Sequence, residues 1–205
     1  MEEKNIEAQK TEVQSKSKIA NIYEWLDIFV SSILIVVLLF TFVFRIVSIS
    51  GDSMNDTLID GERVIITNMF YTPKKGDIVV LSRNMDNSIS DEVYKQPIIK
   101  RVIATAGQTV NIDFESGQVY VDGLLQDEPY IKNYVLNHYS TTNEYDVKFP
   151  LTVKENCIFV LGDNRRVSLD SRSSQIGEDG QINVKYVLGH TICRIYPFNK
   201  IGAVK

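Results

Sequence analysis

The run Ile98-Ile99-Lys100-Arg101-Val102-Ile103-Ala104 is apolar except for two cations at its centre. As a strand, it sends Lys100 to the face of Ile98, Val102 and Ala104, and Arg101 to the other face with Ile99 and Ile103. A lysine on an apolar face is costly unless it sheds its proton. Desolvation lowers its pKa until the amine is a usable base near neutral pH. Two readings stand at this point: a strand-edge lysine with its ammonium in water, and a buried lysine poised as a base.

Runs of the same kind lie on either side of it. Glu62–Thr67, Gly76–Ser82, Gln108–Phe114, Gln118–Val121, Cys157–Leu161 and Val187–Tyr196 are short, rich in β-branched residues and bounded by turn residues such as Asp60-Gly61, Ala106-Gly107 and Asp122-Gly123. No long helical period appears after residue 46, so residues 46–205 are expected to form a mainly β domain. Around 115–155 the alternation fades and Tyr130, Tyr134, Tyr139 and Tyr145 accumulate, which marks a less regular insertion, either a covering layer or a binding surface.

The N-terminal part differs. Residues 1–21 mix charges of both signs with little to build a core and read as a disordered tail. Residues 22–45 hold the run IFVSSILIVVLLFTFVF (Ile28–Phe44), which as a helix spans about 26 Å against a hydrocarbon core of about 30 Å. Tyr23 and Trp25 suit one interface, and Arg45 can snorkel at the other. Lys10, Lys16 and Lys18 place more positive charge before the span than after it, which favours a cytoplasmic N-terminus and an extracytoplasmic β domain. Ser48-Ile49-Ser50 looks like a small-x-small cleavage site, but the apolar run exceeds the roughly 7–15 residues of a signal h-region, which favours an uncleaved anchor.

Composition narrows the function. A net charge of −4 leaves no broad basic surface, which sets nucleic acid aside as a partner. Two histidines and two cysteines, none spaced as ligand pairs, give no metal motif. Cys157 and Cys193 sit in apolar strand-like runs as small hydrophobes, with a disulfide permitted outside the cytoplasm. His138 and His190 lack the setting of a triad base, so a serine nucleophile here needs a different base.

Such a serine stands in SISGDSMNDTL (Ser48–Leu58), where Gly51-Asp52 precede Ser53 directly after the anchor. Alone, this is a plain turn. A third segment, GDNRRVSLDSR (Gly162–Arg172), follows the apolar strand Cys157–Leu161 and is dense in hydrogen-bonding groups, suited to a solvated loop or to a site.

In this order after an anchor, GDSM-x-x-TL, KRV-I-A-x-x-GQ and GDNR-x-x-S-x-DSR resemble three boxes of the type I signal peptidases (leader peptidases), and YPFNKIG (Tyr196–Gly202) resembles that family's last strand. Gly51-Asp52 and the compact length resemble its Gram-positive branch. The resemblance implies an antiparallel β-sheet serine endopeptidase with a smaller inserted cap and a Ser-Lys dyad. It would cleave signal peptides from exported preproteins after small residues at −3 and −1, at the cell membrane and with no cofactor. Ser53 then corresponds to the nucleophile, Lys100 to the general base, and Ser168 to the residue orienting the lysine. Asp170 and Arg172 correspond to a supporting pair, Met54 to a lining of the substrate pocket, and the Ser53 backbone N–H with the Gly51 region to the oxyanion site. Asp56 replaces a common proline, which is expected to loosen the turn, and Gly51 replaces a serine that donates to the oxyanion in some members. A related Ser-Lys self-cleaving protease would carry a DNA-binding domain in place of the anchor, and a non-enzymatic tethered β-domain would have no need of an intact Ser53 and Lys100. Nine residues from Phe44 to Ser53 reach at most about 30 Å, so the nucleophile is expected near the bilayer.

Overall fold

The computed structural model describes residues 2–83, 96–131 and 147–204, with residues 2–20 and 42 by backbone alone. His138, Tyr134, Tyr139 and Tyr145 lie outside the described residues. The chain divides into two units, residues 1–43 and 44–205.

The first unit is one helix, α1 (Glu2–Phe42). Its segment Asn21–Thr41 is long and apolar enough to cross a membrane. The tail expected to be disordered is helical from Glu2. Its Glu, Lys, Gln and Ala residues favour helix individually, and the following span supplies the nucleus they lack. The helix also stops before the apolar composition does: Phe44 and Arg45, expected in the anchor, belong to the first strand. Pairing with a neighbouring strand accounts for this, because β-branched Ile46 and Val47 suit a sheet better than a helix end.

The second unit holds two antiparallel sheets. The larger is built from β1 (Phe44–Ser48), β2 (Arg63–Thr67), β3 (Ile78–Leu81), β4 (Ile98–Thr105), β9 (Cys157–Leu161), β10 (Ile182–Asn183), β11 (Val187–Tyr196) and β12 (Gly202–Ala203). Its order is β1-β2-β11-β3-β4-β9-β10, with β12 beside β11. The smaller sheet, β7-β6-β5-β8, comprises β5 (Thr109–Ile112), β6 (Val119–Val121), β7 (Leu124–Leu125) and β8 (Leu151–Thr152). The irregular insertion thus contributes strands to this second sheet.

Three apolar clusters hold these layers together. Ile103, Ala104, Phe159 and Leu161 of the large sheet pack on Val110, Ile112, Val119 and Val121 of the small one. A second cluster joins Ile49, Met54 and Leu58 to Val64, Ile66, Ile78, Val80 and Ile99. The third contains Val79, Leu81, Val102, Ile158, Val160, Ile176 and Ile182. Alternation along β4 breaks once. A bulge between Val102 and Ala104 lets both Ile103 and Ala104 face the first cluster. Ser48-Ile49-Ser50 is no loose processing site: Ser48 is in β1, and Ile49 is buried, its N–H donating to Glu62 O at 2.8 Å.

Candidate active site

Ser53 sits in a turn closed at its base. The Gly51 N–H donates to Asp60 Oδ1 at 2.8 Å and the Gly61 N–H to Ile49 O at 3.0 Å, drawing the two ends of the loop together. Gly51 adopts φ +88°, a conformation that favours glycine over the serine some relatives of this motif carry. Within the loop Asn55 Nδ2 donates to Asp52 Oδ1 at 3.0 Å, and Met54 and Leu58 point into the core beneath. The looseness expected from Asp56 in place of proline is offset at the next residue. Thr57 Oγ1 donates to Asp163 Oδ2 at 2.5 Å, and Arg194 Nη2 donates to Thr57 O at 2.7 Å.

Lys100 reaches this turn from β4. Its Nζ donates to Ser53 Oγ at 2.8 Å and to Ile99 O at 3.0 Å, and the residue is only 3 % exposed. Of the two readings of IIKRVIA, the strand is buried on both faces and the amine is not in bulk water. Burial lowers the Lys100 pKa most; Asp170 and Asp163 raise it, Arg83 and Arg172 lower it, and together these bring it to about 8.

The loop after β9 supports both groups. Gly162 lies so close to Ser53 O and to the Ser168 side chain that a Cβ there would stand 2.5 Å from the Ser53 carbonyl oxygen. Asn164 donates twice to the Ser53 turn, from its N–H to Ser53 O at 3.0 Å and from Nδ2 to Asp52 O at 3.0 Å. Asp170 and Arg172 form a buried two-point pair, Nε to Oδ1 at 2.8 Å and Nη2 to Oδ2 at 2.9 Å. Asp170 Oδ2 also accepts from the Gly162 N–H at 3.0 Å. Burial alone would raise the Asp170 pKa. The Arg172 guanidinium, the Gly162 amide and the Ser168 hydroxyl together outweigh it and hold the carboxyl below its usual range.

A second buried pair ties this loop to the strand of Lys100. Arg101, next to Lys100 but on the opposite face, grips Asp163 through Nε–Oδ1 at 2.8 Å and Nη2–Oδ2 at 2.7 Å. Asp163 is therefore shared between the strand of Lys100 and the turn of Ser53.

The structure brings Ser53, Lys100, Asp170 and Arg172 into one neighbourhood, with three differences in detail. Ser168 is buried beside them, close enough to Asp170 to help hold its charge, but its Oγ makes no well-aligned hydrogen bond among the described residues, Lys100 included. Met54 is fully packed in the core, so it presents no surface to a substrate in this conformation. The Gly51 amide is committed to Asp60, which removes it as an oxyanion donor. Cys157 and Cys193 are free thiols. His190 is a satisfied sheet residue, stacked on Tyr71 with ring centroids 4.0 Å apart and its Nδ1 3.1 Å from Thr67 O.

Sequence reasoning missed Gly162, Asn164, Thr57 and the Arg101–Asp163 pair as parts of the site. One signal was available: Arg101 lies in an apolar strand and demands a buried anion, and Asp163 directly follows another such strand. Among the described residues no group of three or more His, Cys, Asp or Glu is arranged to hold a metal. What the arrangement offers is a serine hydroxyl against a desolvated amine, the elements of nucleophilic catalysis without histidine.

Comparison with known proteins gives the same direction. Signal peptidase I S of Bacillus subtilis (strain 168) is 33 % identical over 202 residues, covering 94 % of this chain and 97 % of that one. Signal peptidase I of Bacillus amyloliquefaciens is 30 % identical over 203 residues, covering 96 % and 100 %. Signal peptidase IB of Staphylococcus aureus (strain COL) is 33 % identical over 192 residues, covering 87 % and 92 %. A crystal structure of a signal peptidase I from Enterococcus faecalis aligns with 58 % of this chain and 97 % of its own at 26 % identity and a TM-score of 0.42. The model of the family described as signal peptidase, peptidase S26, matches residues 22–196, and the chain belongs to that family.

Proposed function

We propose that the protein is a membrane-anchored serine endopeptidase that removes signal peptides from exported preproteins, with Ser53 as nucleophile and Lys100 as general base. The observation that carries this reading is the 2.8 Å contact between Lys100 Nζ and Ser53 Oγ, made by an amine whose pKa burial has lowered to about 8. A neutral Lys100 takes the Ser53 proton as Oγ attacks the scissile carbonyl, then returns it to the leaving amine. The Ser53 N–H, with no acceptor assigned among the described residues, is an oxyanion donor. Water deprotonated by Lys100 then hydrolyses the acyl-enzyme. Ser168, buried in the same loop, helps hold the Asp170 carboxyl ionised near the amine.

The substrate segment, with small residues at −3 and −1, is bound extended by strand addition beside Ser53. The apolar segment Asn21–Thr41 supports anchoring in the cell membrane. The lysines before it support a cytoplasmic N-terminus, with the β domain on the outer face where preproteins emerge. An intact Ser53–Lys100 contact counts against a tethered β-domain without activity.

The test is processing of a preprotein with a small-x-small site by wild type, Ser53→Ala and Lys100→Ala proteins in proteoliposomes. Both variants should be inactive. Cleavage at the wild-type rate by either would remove the dyad.

A further inference from the structure

Glu128 and Tyr130 belong to the segment that follows β7, and the dyad chemistry above does not use them. Glu128 is buried, and its carboxylate takes both ends of the buried Arg165 guanidinium, Oε1 from Nη2 at 2.5 Å and Oε2 from Nη1 at 3.2 Å. Arg165 Nε in turn donates to Gly162 O at 3.1 Å. The Tyr130 hydroxyl donates to Glu128 Oε1 at 2.9 Å, and its ring lies 3.8 Å from the Arg101 guanidinium carbon. Arg101 grips Asp163. Two residues of this segment thus hold the two arginines that fix Gly162 and Asp163. Those are the residues that meet the nucleophile turn, Gly162 against Ser53 O and Asp163 against Thr57 Oγ1.

Stability alone is a poor reason for this arrangement, because a buried ion pair adds little over well-packed apolar residues of the same size. Its direction-specific bonds do specify geometry. A guanidinium held at both ends by a carboxylate has one orientation, and Arg101, with one face against a ring and its edge on Asp163, is equally constrained. The loop after β9 is consequently held by the segment that carries Glu128 and Tyr130.

We infer that Glu128 and Tyr130 are positioning residues, which set the Ser53 turn against Lys100 through Arg165–Gly162 and Arg101–Asp163. The inference rests on the dyad reading above. A slackened clamp lets the turn drift from the amine and admits water to it. The first effect lowers the rate of the chemical step; the second raises the pKa of Lys100 toward that of an ordinary lysine.

The experiment compares full-length wild type, Glu128→Gln, Tyr130→Leu and Tyr130→Phe in proteoliposomes, with rates normalised to active sites counted by the acyl-enzyme burst. Glu128→Gln and Tyr130→Leu should lower kcat on the order of 10- to 100-fold with little change in KM, since ångström-scale misplacement of reacting groups has that effect. The midpoint of their pH–rate profiles should move alkaline. Tyr130→Phe, which keeps the ring on Arg101, should lose far less than Tyr130→Leu.

Wild-type kcat per active site with an unmoved midpoint would mean that the clamp only stabilises the fold, and would overturn the inference. Should Glu128→Gln not fold, the double variant Glu128→Leu/Arg165→Met removes both charges together. Wild-type kcat in that protein would overturn the inference as well. Activity surviving in Ser53→Ala, or a wild-type profile with no rise through pH 8, would instead overturn the dyad reading, so the two failures are distinguishable.

Discussion

Gly162 touches the carbonyl of Ser53: a methyl group built on its Cα would lie 2.5 Å from that oxygen and closer still to the Ser168 hydroxyl. The backbone of the loop after β9 is therefore the surface against which the Ser53 turn is set, and no side chain fits between them. Gly162→Ala should force the turn away from Lys100 and cut kcat/KM on the order of 100-fold, measured on a signal-peptide substrate. Near-normal turnover would mean that the loop yields at little cost.

The proposed dyad makes the rate depend on the protonation of a buried amine. With the Lys100 pKa lowered to about 8, the neutral base is scarce in mild acid and dominant above pH 8, so kcat/KM should rise with pH and level off beyond that midpoint. Lys100→Arg should be inactive across the range, because arginine cannot lose its proton. A flat wild-type profile from pH 6 to pH 9 would contradict the assignment.

Asp170 is ionised, buried and held by Arg172, which links it to stability. Its pKa is lower in the folded chain than in the unfolded one, so the stabilisation is complete above the ordinary aspartate value of 3.8 and disappears as pH falls through the folded-state value. Asp170→Asn leaves Arg172 buried without its anion and should cost about 3–5 kcal/mol in denaturant unfolding at pH 7. That penalty should shrink in acid. A loss that stays constant down to pH 2 would point to packing instead of charge.

The two thiols make a simpler test. Cys157 and Cys193 are unpaired, and burial raises the Cys157 pKa. The denatured protein should yield two titratable thiols with or without prior reduction, while Cys157 in the native state should react slowly. Cys193→Ser should change unfolding free energy by no more than about 0.5 kcal/mol.

Much of this architecture could be read from residue pattern alone, and the exceptions share a cause. The strands around IIKRVIA, ERVIIT and CIFVL announce themselves by β-branched runs between turns. β1 does not, because Phe44–Val47 continues the apolar helix without a break and only its partner β2 makes it a strand. The bulge at Ile103 and the two-residue strands β7, β8, β10 and β12 likewise depend on neighbours distant in the chain. The same division runs through the site. Ser53, Lys100 and the Gly162–Arg172 loop carry local signals. The shared use of Asp163 by Thr57 and Arg101 joins residues 106 and 62 positions apart, and no local pattern encodes such a meeting.

The order of the large sheet bears on when it can be completed. Strand β2, beside the Ser53 loop, and β3, beside the strand of Lys100, do not pair with each other; β11 lies between them. During synthesis Ser53 and Lys100 both exist long before Val187–Tyr196 is made. Until that strand inserts, β2 and β3 have no shared partner in the sheet. The sheet that carries the Ser53 turn and Lys100 is thus continuous only once Val187–Tyr196 has taken its place between β2 and β3.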